Sequence, residues 1–329
     1  MSKGHLRVGM ETFSAGMDTI WTPPAAPKPG APQNKTGTVS FLAMSAISSW
    51  ILRPVLVLMT EVRASFWPPW ASYLRPIAQT RGSNRIHLSD TFCGLCGVTP
   101  PSVPPHLRLP SIDLPGDLAA VGISAGQWIA VVVGAGDADR SIPQSVWIEW
   151  ISTLLAHDSP CAVVLVGTER DQTSALAIQD GLSPMIAGRL WDATGRTTLP
   201  QLATILKRCH WAVGADTGPL HLAAAVGTSA MGFYFSRARV HETGPYGQGH
   251  WVWQADCAQP EAWPIQASVK VIRESATALE QEPVEGWSLW QSHHDEWGAI
   301  FRPVGDRDPQ EDQRAAVWHQ LTEQHLSLQ

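Results

Sequence analysis

Between residues 128 and 234 the chain alternates short apolar runs with amphipathic stretches, and this alternation limits the fold more than any other feature. Residues 128–133 and 161–166 are almost continuously apolar, and each run ends at a glycine. Such runs are typical of strands that are buried on both faces of a parallel sheet. Residues 145–156 and 199–209 have the spacing of helices that bury one face. This order predicts an α/β fold with a doubly wound sheet.

Ligand-binding loops are expected at one edge of that sheet, because ligands of doubly wound sheets bind beyond the carboxyl ends of the strands. Four glycine-rich or polar segments follow predicted strands, namely residues 134–136, 167–169, 216–218 and 236–237. All four should meet at one rim. Their convergence indicates a binding site more strongly than any one of them.

The segment GADTGPLH, residues 214–221, lies at one of these strand ends and has the residues of an anion site. It follows the apolar residues 211–213 and runs directly into a predicted helix. Gly218 lets the backbone approach a ligand, so nearby N–H groups and the helix dipole could bind a phosphate, with His221 one turn further on. An ordinary strand–turn–helix with a buried histidine is the alternative.

The helix after this turn carries residues that start and end helices. We expect Thr217 or Asp216 to cap its first turn, Pro219 to lie within that turn, and Gly227 to close the helix. These signals place the start of the helix at the carboxyl end of the preceding strand.

The segment DTGPLHLAAA, residues 216–225, and the later GPYG, residues 244–247, resemble the C-terminal domain of the lipopolysaccharide heptosyltransferases. These enzymes form glycosyltransferase family 9. The resemblance extends from residue 129 to residue 249 and is weaker in the rest of the chain. It implies an α/β protein with two Rossmann-like domains, glycosyltransferase-B-like, in which the N-terminal domain is short and irregular.

The resemblance and the composition divide the chain into three parts. We expect residues 1–124 to form an N-terminal acceptor-side domain, residues 125–275 a nucleotide-sugar-binding domain, and residues 276–329 a tail that returns toward the N-terminal domain. Prolines are dense in residues 22–33 and 100–115, which argues against helices there and predicts exposed or extended chain.

A glycine-rich loop with a following cation is expected to bind the diphosphate of the donor. Gly134, Ala135 and Gly136 let the backbone approach a ligand, and Arg140 supplies a positive charge within reach. The family has a basic residue here followed by Trp-Pro, and in this chain Ile142 replaces the tryptophan. A surface arginine before a helix is the alternative interpretation of Arg140.

Two carboxylates in the same loop could instead hold a metal ion. Asp137 and Asp139 have the Asp-x-Asp spacing that holds a divalent metal in another glycosyltransferase fold. The resemblance places phosphate contacts in this loop, so we expect no metal site and no cofactor.

Further candidates lie at the other strand ends. The resemblance places an acidic residue after the second strand, where Glu169 would bind the ribose of the nucleoside; capping of the following helix is an equal alternative. Arg237, after a later strand, is a weaker candidate. The other expected donor-site residues are Asp216, Thr217, Gly218 and His221, which lie in the turn after residues 211–213 and at the start of the following helix.

The catalytic base is expected near the beginning of the sequence. Family members begin with a strand, a Gly-Asp turn and a helix that starts Thr-x-Pro, and the aspartate acts as general base. Residues 16–24, GMDTIWTPP, keep this order, although Met17 separates the glycine from Asp18. The resemblance therefore assigns Asp18 as the base, with a simple turn aspartate as the alternative.

The resemblance implies an inverting glycosyltransferase. The donor would be a nucleoside diphosphate sugar, expected to be ADP-heptose, and the acceptor a lipopolysaccharide core or a related bacterial glycan or glycolipid. A nucleotide-sugar-binding protein of the same fold that has lost catalysis is one alternative. A sugar-nucleotide epimerase or hydrolase is another.

The composition of the chain restricts its partners and its cellular compartment. A net charge of −6 argues against nucleic acid as a binding partner. Five cysteines, an odd number in a long chain, fit a reducing compartment better than a disulfide framework. We therefore expect a cytoplasmic protein, and leave open a peripheral contact with the inner face of the cytoplasmic membrane.

Overall fold

The structure, a computed structural model, describes residues 70, 73, 81, 84–110, 112–114, 116, 128–156, 160–274, 284–305, 317–321 and 323. These residues belong to one compact unit that spans residues 67–329. The predicted base Asp18 lies outside the described residues. The predicted domain boundaries after residues 124 and 275 also lie outside them and stay predictions.

Strands and helices alternate along most of the described chain. The helices are α1 Leu88–Leu95, α2 Gln144–Leu155, α3 Gln172–Gly181, α4 Pro184–Ala187, α5 Leu199–Arg208, α6 Gly218–Ala225, α7 Val240–Thr243 and α8 Ile265–Glu274. The strands are β1 Trp128–Val132, β2 Ala162–Val166, β3 Leu190–Asp192, β4 Trp211–Ala215, β5 Ser229–Tyr234, β6 Trp251–Ala255, β7 Trp287–Asp295 and β8 Gly298–Pro303.

The described strands form one sheet in the order β3-β2-β1-β4-β5-β6-β7-β8. Neighbouring strands from β3 to β6 pair in parallel, and β7 and β8 add an antiparallel pair beside β6. The parallel part has the 3-2-1-4-5-6 order of the Rossmann fold, in which the strand order reverses between β1 and β4. The predicted α/β fold with a doubly wound sheet is confirmed for this part of the chain.

Alternate side chains of the strands pack into two apolar layers on opposite faces of the sheet. On one face, Ile129 and Val131 of β1 belong to the same buried cluster as Trp147 of α2, together with residues of α3 and α8. On the other face, Ala130 of β1 belongs to a cluster with Leu206 of α5 and with residues of α6. Because helices cover both faces, the central strands are apolar throughout.

Two of the strands that the sequence did not reveal, β3 and β7, are only partly buried. All three residues of β3 are half-buried, and β7 mixes buried with half-buried residues. Neither strand has the continuous apolar run that identifies β1 and β2. Two strands of the tail, β7 and β8, extend the sheet. Later in the tail, the ring of Trp318 packs against the ring of Trp70, with centroids 4.5 Å apart.

Helix α1 is tied to the sheet by a buried carboxylate. Asp90 is 0% exposed and accepts hydrogen bonds from the Tyr246 hydroxyl at 2.6 Å and the Ala299 N–H at 3.0 Å. The ring of His87, the N-cap residue of α1, lies with Nε2 3.0 Å from the Gly244 carbonyl oxygen. These contacts fix the GPYG segment, which follows α7, against α1.

Candidate functional site

Helix α6 begins at the carboxyl end of β4, where the sequence places it. Thr217 is its N-cap residue, with extended backbone (φ −145°, ψ 158°), Pro219 lies in its first turn, and Gly227 follows it with φ +86°. The Thr217 hydroxyl donates to the Ala215 carbonyl oxygen at 3.3 Å, and no side chain caps the helix. The predicted helix start is confirmed, with Thr217 as the N-cap residue, but the Thr217 hydroxyl turns back to the strand and makes no capping hydrogen bond to the helix.

Gly218 leaves open space in front of this helix start. A Cβ built on Gly218 would have no heavy atom within 4 Å, and the residue is exposed. The helix dipole and the N–H groups without a side-chain cap make the potential positive there. The geometry therefore suits a close approach of an anionic group to the backbone of α6.

The carboxylate of Asp216 contacts side chains from three parts of the chain, namely the loop after β1, helix α6 and helix α7. Its Oδ1 lies 3.4 Å from His221 Nε2, and its Oδ2 accepts hydrogen bonds from Arg140 Nη1 at 3.3 Å and Thr243 Oγ1 at 3.2 Å. Burial raises the pKa of Asp216, but the hydrogen bonds and charges of these neighbours, His221 foremost, outweigh it and bring the pKa below its ordinary value of 3.8. Asp216 is therefore ionised at neutral pH and positions Arg140 and His221.

Arg140 crosses from the loop after β1 to the loop after β4. It ends a 3₁₀ turn, Ala138–Arg140, and its Nη1 also donates to the backbone oxygen of Asp216 at 3.0 Å. Its Nε is buried and has no hydrogen-bond partner among the described residues. A buried donor without an acceptor is costly, and a phosphate oxygen is an acceptor that suits a guanidinium group.

A second set of ion pairs joins the loop after β1 to the loop after β5. Asp137 Oδ2 accepts hydrogen bonds from Arg237 Nη2 at 2.6 Å and Arg140 Nη2 at 3.1 Å. Asp139 accepts from Arg237 Nη2 at 3.3 Å and from Ser236 Oγ at 2.9 Å. The two carboxylates of the Asp-x-Asp motif therefore bind arginine and serine side chains in this structure.

At the end of β2, Thr168 is the N-cap residue of a short 3₁₀ helix, Glu169–Asp171, and it forms a capping box with Asp171 rather than with Glu169. Asp171 Oδ2 accepts hydrogen bonds from the N–H and the hydroxyl of Thr168, both at 2.7 Å. A Cβ on Gly134 would lie 2.0 Å from Asp171 Oδ1, so the glycine makes room for this carboxylate. The capping alternative for Glu169 is therefore wrong. Glu169 is exposed, and its role toward a ribose stays a prediction.

Sequence reasoning missed Thr243 and Tyr234. The Thr243 hydroxyl binds Asp216, and the buried Tyr234 hydroxyl donates to the Thr243 carbonyl oxygen at 2.7 Å. Burial holds the pKa of Tyr234 well above its ordinary value, so it remains a donor. The signal in the sequence was the position of Thr243 directly before the GPYG segment.

Three strand ends bring the predicted donor residues to one rim of the sheet. They are Gly134, Ala135, Gly136 and Arg140 after β1, Glu169 after β2, and Asp216, Thr217, Gly218 and His221 after β4. Within the described residues, no three His, Cys, Asp or Glu side chains are grouped to hold a metal ion. No helix in that part of the chain has the length and apolar character needed to cross a membrane.

The fold and the rim define a doubly wound α/β domain with a candidate anion site where the strand order reverses. Comparison with known families identifies the domain. Residues 113–262 match the family model described as Glycosyltransferase family 9 (heptosyltransferase). This part of the chain therefore matches glycosyltransferase family 9, the family that its DTGPLHLAAA segment resembles.

The solved structures that are similar to this chain include two heptosyltransferases and a family 9 glycosyl transferase. The E. coli ADP-heptose lps heptosyltransferase II is 19% identical over 53% of this chain and 57% of its own, with a TM-score of 0.42. The E. coli heptosyltransferase WaaC with ADP is 22% identical over 50% and 47%, with a TM-score of 0.41. A family 9 glycosyl transferase from Veillonella parvula DSM 2008 is 15% identical over 60% and 54%, with a TM-score of 0.44.

The chain thus spans about half the length of the solved structures that it matches, namely 57%, 47% and 54% of them. Among curated proteins, no match reaches significance.

Proposed function

We propose that the chain is an inverting glycosyltransferase that moves heptose from ADP-heptose to a lipopolysaccharide core or a related bacterial glycan. The family 9 domain supports glycosyl transfer as the reaction class, and the description of its family model supports heptose as the sugar. The resemblance of the segment DTGPLHLAAA supports a nucleoside diphosphate donor. The reaction would take place in the cytoplasm, with a glycolipid acceptor reached at the inner face of the membrane.

The observation that carries the proposal is the position of Arg140. Its guanidinium group lies beside the start of α6, held there by Asp216, and its buried Nε lacks an acceptor among the described residues. A guanidinium group and an uncapped helix start together form a strong anion site. A departing diphosphate is the anion that the proposed reaction produces at this position.

The proposed chemistry needs one base and one stabilised leaving group. Asp18 removes the proton of an acceptor hydroxyl, and the resulting oxygen attacks the anomeric carbon of the donor sugar. The bond between that carbon and the diphosphate breaks, and the diphosphate leaves with the bonding electron pair. Arg140 and the N–H groups at the start of α6 stabilise its developing charge. No covalent intermediate forms, so the configuration at the anomeric carbon is inverted.

The remaining donor residues have supporting roles in this proposal. Glu169 accepts hydrogen bonds from the ribose hydroxyl groups, since its carboxylate is exposed and does not cap the adjacent helix. Gly218 lets the diphosphate reach the backbone. His221 lies 3.4 Å from Asp216 and is 39% exposed, so its ring can also contact the phosphate groups.

The test is a donor-consumption assay with and without acceptor. ADP-heptose is incubated with the full chain, and released ADP is measured in the presence and absence of lipopolysaccharide core. A transferase releases ADP only when the acceptor is present. ADP release without acceptor would identify a hydrolase, a changed sugar without ADP release an epimerase, and tight donor binding without turnover a binding protein. Arg140→Gln should reduce turnover and donor affinity together.

A further inference from the structure

The loops after β1 and β5 hold one oxygen atom between two guanidinium groups. Asp137 Oδ2 accepts from Arg140 Nη2 at 3.1 Å and from Arg237 Nη2 at 2.6 Å. An anionic oxygen shared by two arginines is an arrangement that also suits a phosphate oxygen. The same Arg140 side chain carries the buried Nε that lacks an acceptor among the described residues. The position of Asp137 Oδ2 is therefore an anion position at the edge of the candidate donor site.

The carboxylate in this position is only weakly held. The side chains of Asp137 and Arg237 are 50% and 40% exposed, so water screens their attraction and the pair adds little to stability. Asp137 also lies in a loop, where its side chain can turn toward solvent. A ligand with a higher negative charge can replace it between the two guanidinium groups.

The orientation of Arg237 is fixed by the residue before it. Ser236 is the non-glycine residue with positive φ, 56°, among those that the structure describes. Its hydroxyl donates to Asp139 Oδ2 at 2.9 Å, and Asp139 Oδ1 accepts from Arg237 at 3.3 Å. Left-handed backbone is unfavourable for serine and persists where the surroundings impose it, often at ligand-binding positions. The loop therefore holds Arg237 toward the rim.

The order of the strands places Arg237 at the far end of a bound donor. Along the sheet the order is β2, β1, β4 and β5. Glu169, the proposed ribose ligand, follows β2, while Arg140 and Asp216 lie where β1 meets β4, and Arg237 follows β5. A nucleotide with its ribose at Glu169 would thus pass Arg140 before it reaches Arg237. In that orientation Arg237 would lie nearest to the phosphate farther from the nucleoside.

We propose that Arg237 is a second diphosphate-binding residue and that Asp137 occupies the position of a phosphate oxygen when no donor is bound. This inference rests on the proposed function, because it assigns a further residue to the same donor site. On binding, an oxygen of the distal phosphate replaces Asp137 Oδ2 between Arg140 and Arg237. Both arginines then face the leaving diphosphate, and Asp137 turns to solvent.

The test compares ADP with AMP, which lacks the distal phosphate, by calorimetry on the full chain. Arg237→Gln removes one charged donor, so we expect the Kd for ADP to rise about tenfold while that for AMP changes by less than about threefold. Arg208→Gln is the matched control, because Arg208 is an exposed arginine at the C-terminal end of α5, away from the rim. An equal effect of Arg237→Gln on ADP and AMP, or no effect on either, would overturn the proposal.

A second variant tests the role of Asp137. Asp137→Asn removes the competing negative charge, so ADP should bind about threefold more tightly. In the Arg237→Gln background this gain should become smaller, because the two side chains act at the same position. Weaker ADP binding by Asp137→Asn would show that the carboxylate supports the site rather than competes for it, and would contradict the proposal.

Failure of the proposed function gives a different result. A parent protein that binds neither ADP nor ADP-heptose would contradict the donor assignment. Inorganic pyrophosphate, which needs no nucleoside or sugar contact, then tests Arg237 by itself. Tighter pyrophosphate binding by the parent than by Arg237→Gln supports the anion position, and equal binding by both overturns it.

Discussion

Arg140 and Asp216 are 76 residues apart in the sequence, and one guanidinium nitrogen of Arg140 donates to both the backbone oxygen and the carboxylate of Asp216, at 3.0 and 3.3 Å. The two side chains are 21% and 13% exposed. This contact fixes the loop after β1 to the loop after β4, where the strand order of the sheet reverses. Asp216 is thus a positioning residue that, together with Asp137, holds the guanidinium group of Arg140.

Asp216→Asn keeps the size of the side chain but removes its charge. Hydrogen bonds to charged groups contribute about 1.5–3 kcal/mol, so the free energy of unfolding at neutral pH should fall by roughly that amount. Nucleotide affinity should also fall, because Arg140 is held less firmly. Urea unfolding and calorimetry with ADP measure the two effects.

The stability effect of Asp216→Asn should depend on pH. The folded-state pKa of Asp216 lies below the ordinary value of 3.8, so its contribution is fully present above that value and is lost as the pH falls through the folded-state pKa. Parent and variant should therefore converge in stability at acid pH. A difference that stays constant from neutral pH to the acid limit would contradict this account of Asp216.

His250 should make the protein less stable in mild acid. Burial, with the charge of His221 added, lowers the pKa of His250 from 6.5 to about 4, and its Nδ1 accepts the Ala230 N–H at 3.2 Å. The unfolded chain takes up the proton first, so stability is full above pH 6.5 and falls as the pH drops toward the folded-state pKa. The total loss should be about 3 kcal/mol.

His250→Asn isolates this effect, because asparagine offers Ala230 an acceptor and does not titrate. Urea unfolding across the same pH range should show a flatter dependence for this variant than for the parent. His106→Asn, at an exposed histidine, should keep the slope of the parent. Equal slopes for the parent and His250→Asn would show that other groups cause the acid sensitivity.

Two glycines of the loop after β1 should respond differently to alanine. A Cβ at position 134 would lie 2.0 Å from Asp171 Oδ1, whereas at position 136 the nearest atom would be Arg140 Nη2 at 3.5 Å. Gly134→Ala should therefore displace Asp171 from Thr168 and lower the free energy of unfolding by about 1–3 kcal/mol. Gly136→Ala should change it little. Thermal unfolding of both variants tests this, and equal losses would contradict it.

Gly218→Val should block nucleotide binding without unfolding the protein. The added side chain meets no protein atom within 4 Å of the Cβ position, but it fills the space through which a phosphate would approach α6. Gly188→Val is the control, since Gly188 also has open space and is exposed. Calorimetry should find no ADP binding for Gly218→Val at an unchanged melting temperature. Unaltered affinity would remove the anion site at α6.

Asp18→Asn distinguishes an enzyme from a binding protein. If Asp18 is the base, turnover should fall by roughly 10²–10⁴-fold, the usual contribution of general-base assistance. Donor affinity should barely change, because the proposed donor residues all lie within residues 113–262, the part of the chain that matches family 9. Single-turnover kinetics with acceptor and calorimetry with donor measure both. A variant as fast as the parent would place the base at another residue.

The parallel core could be predicted because burial on both sheet faces leaves a continuous apolar run in the sequence, as in β1 and β2. The rim followed from it, since carboxyl ends of parallel strands meet at one edge. The contacts within the rim could not be predicted. Whether Asp171 or Glu169 accepts the hydrogen bonds of Thr168 after β2 depends on side-chain direction. The bond from Thr243 to Asp216 depends on how the chain returns after β5, and the position of Thr243 before GPYG does not specify that contact.

The reversal of strand direction between β6 and β7 has a consequence for synthesis. The residues of β6, mostly buried, have β5 as one neighbour, and their other neighbour is the antiparallel hairpin of β7 and β8. Because the chain leaves the ribosome from its N-terminus, the six parallel strands emerge while β6 is still an open edge. Such an edge can pair with other chains. The nascent domain therefore exposes the edge of β6 until β7 has emerged and paired with it.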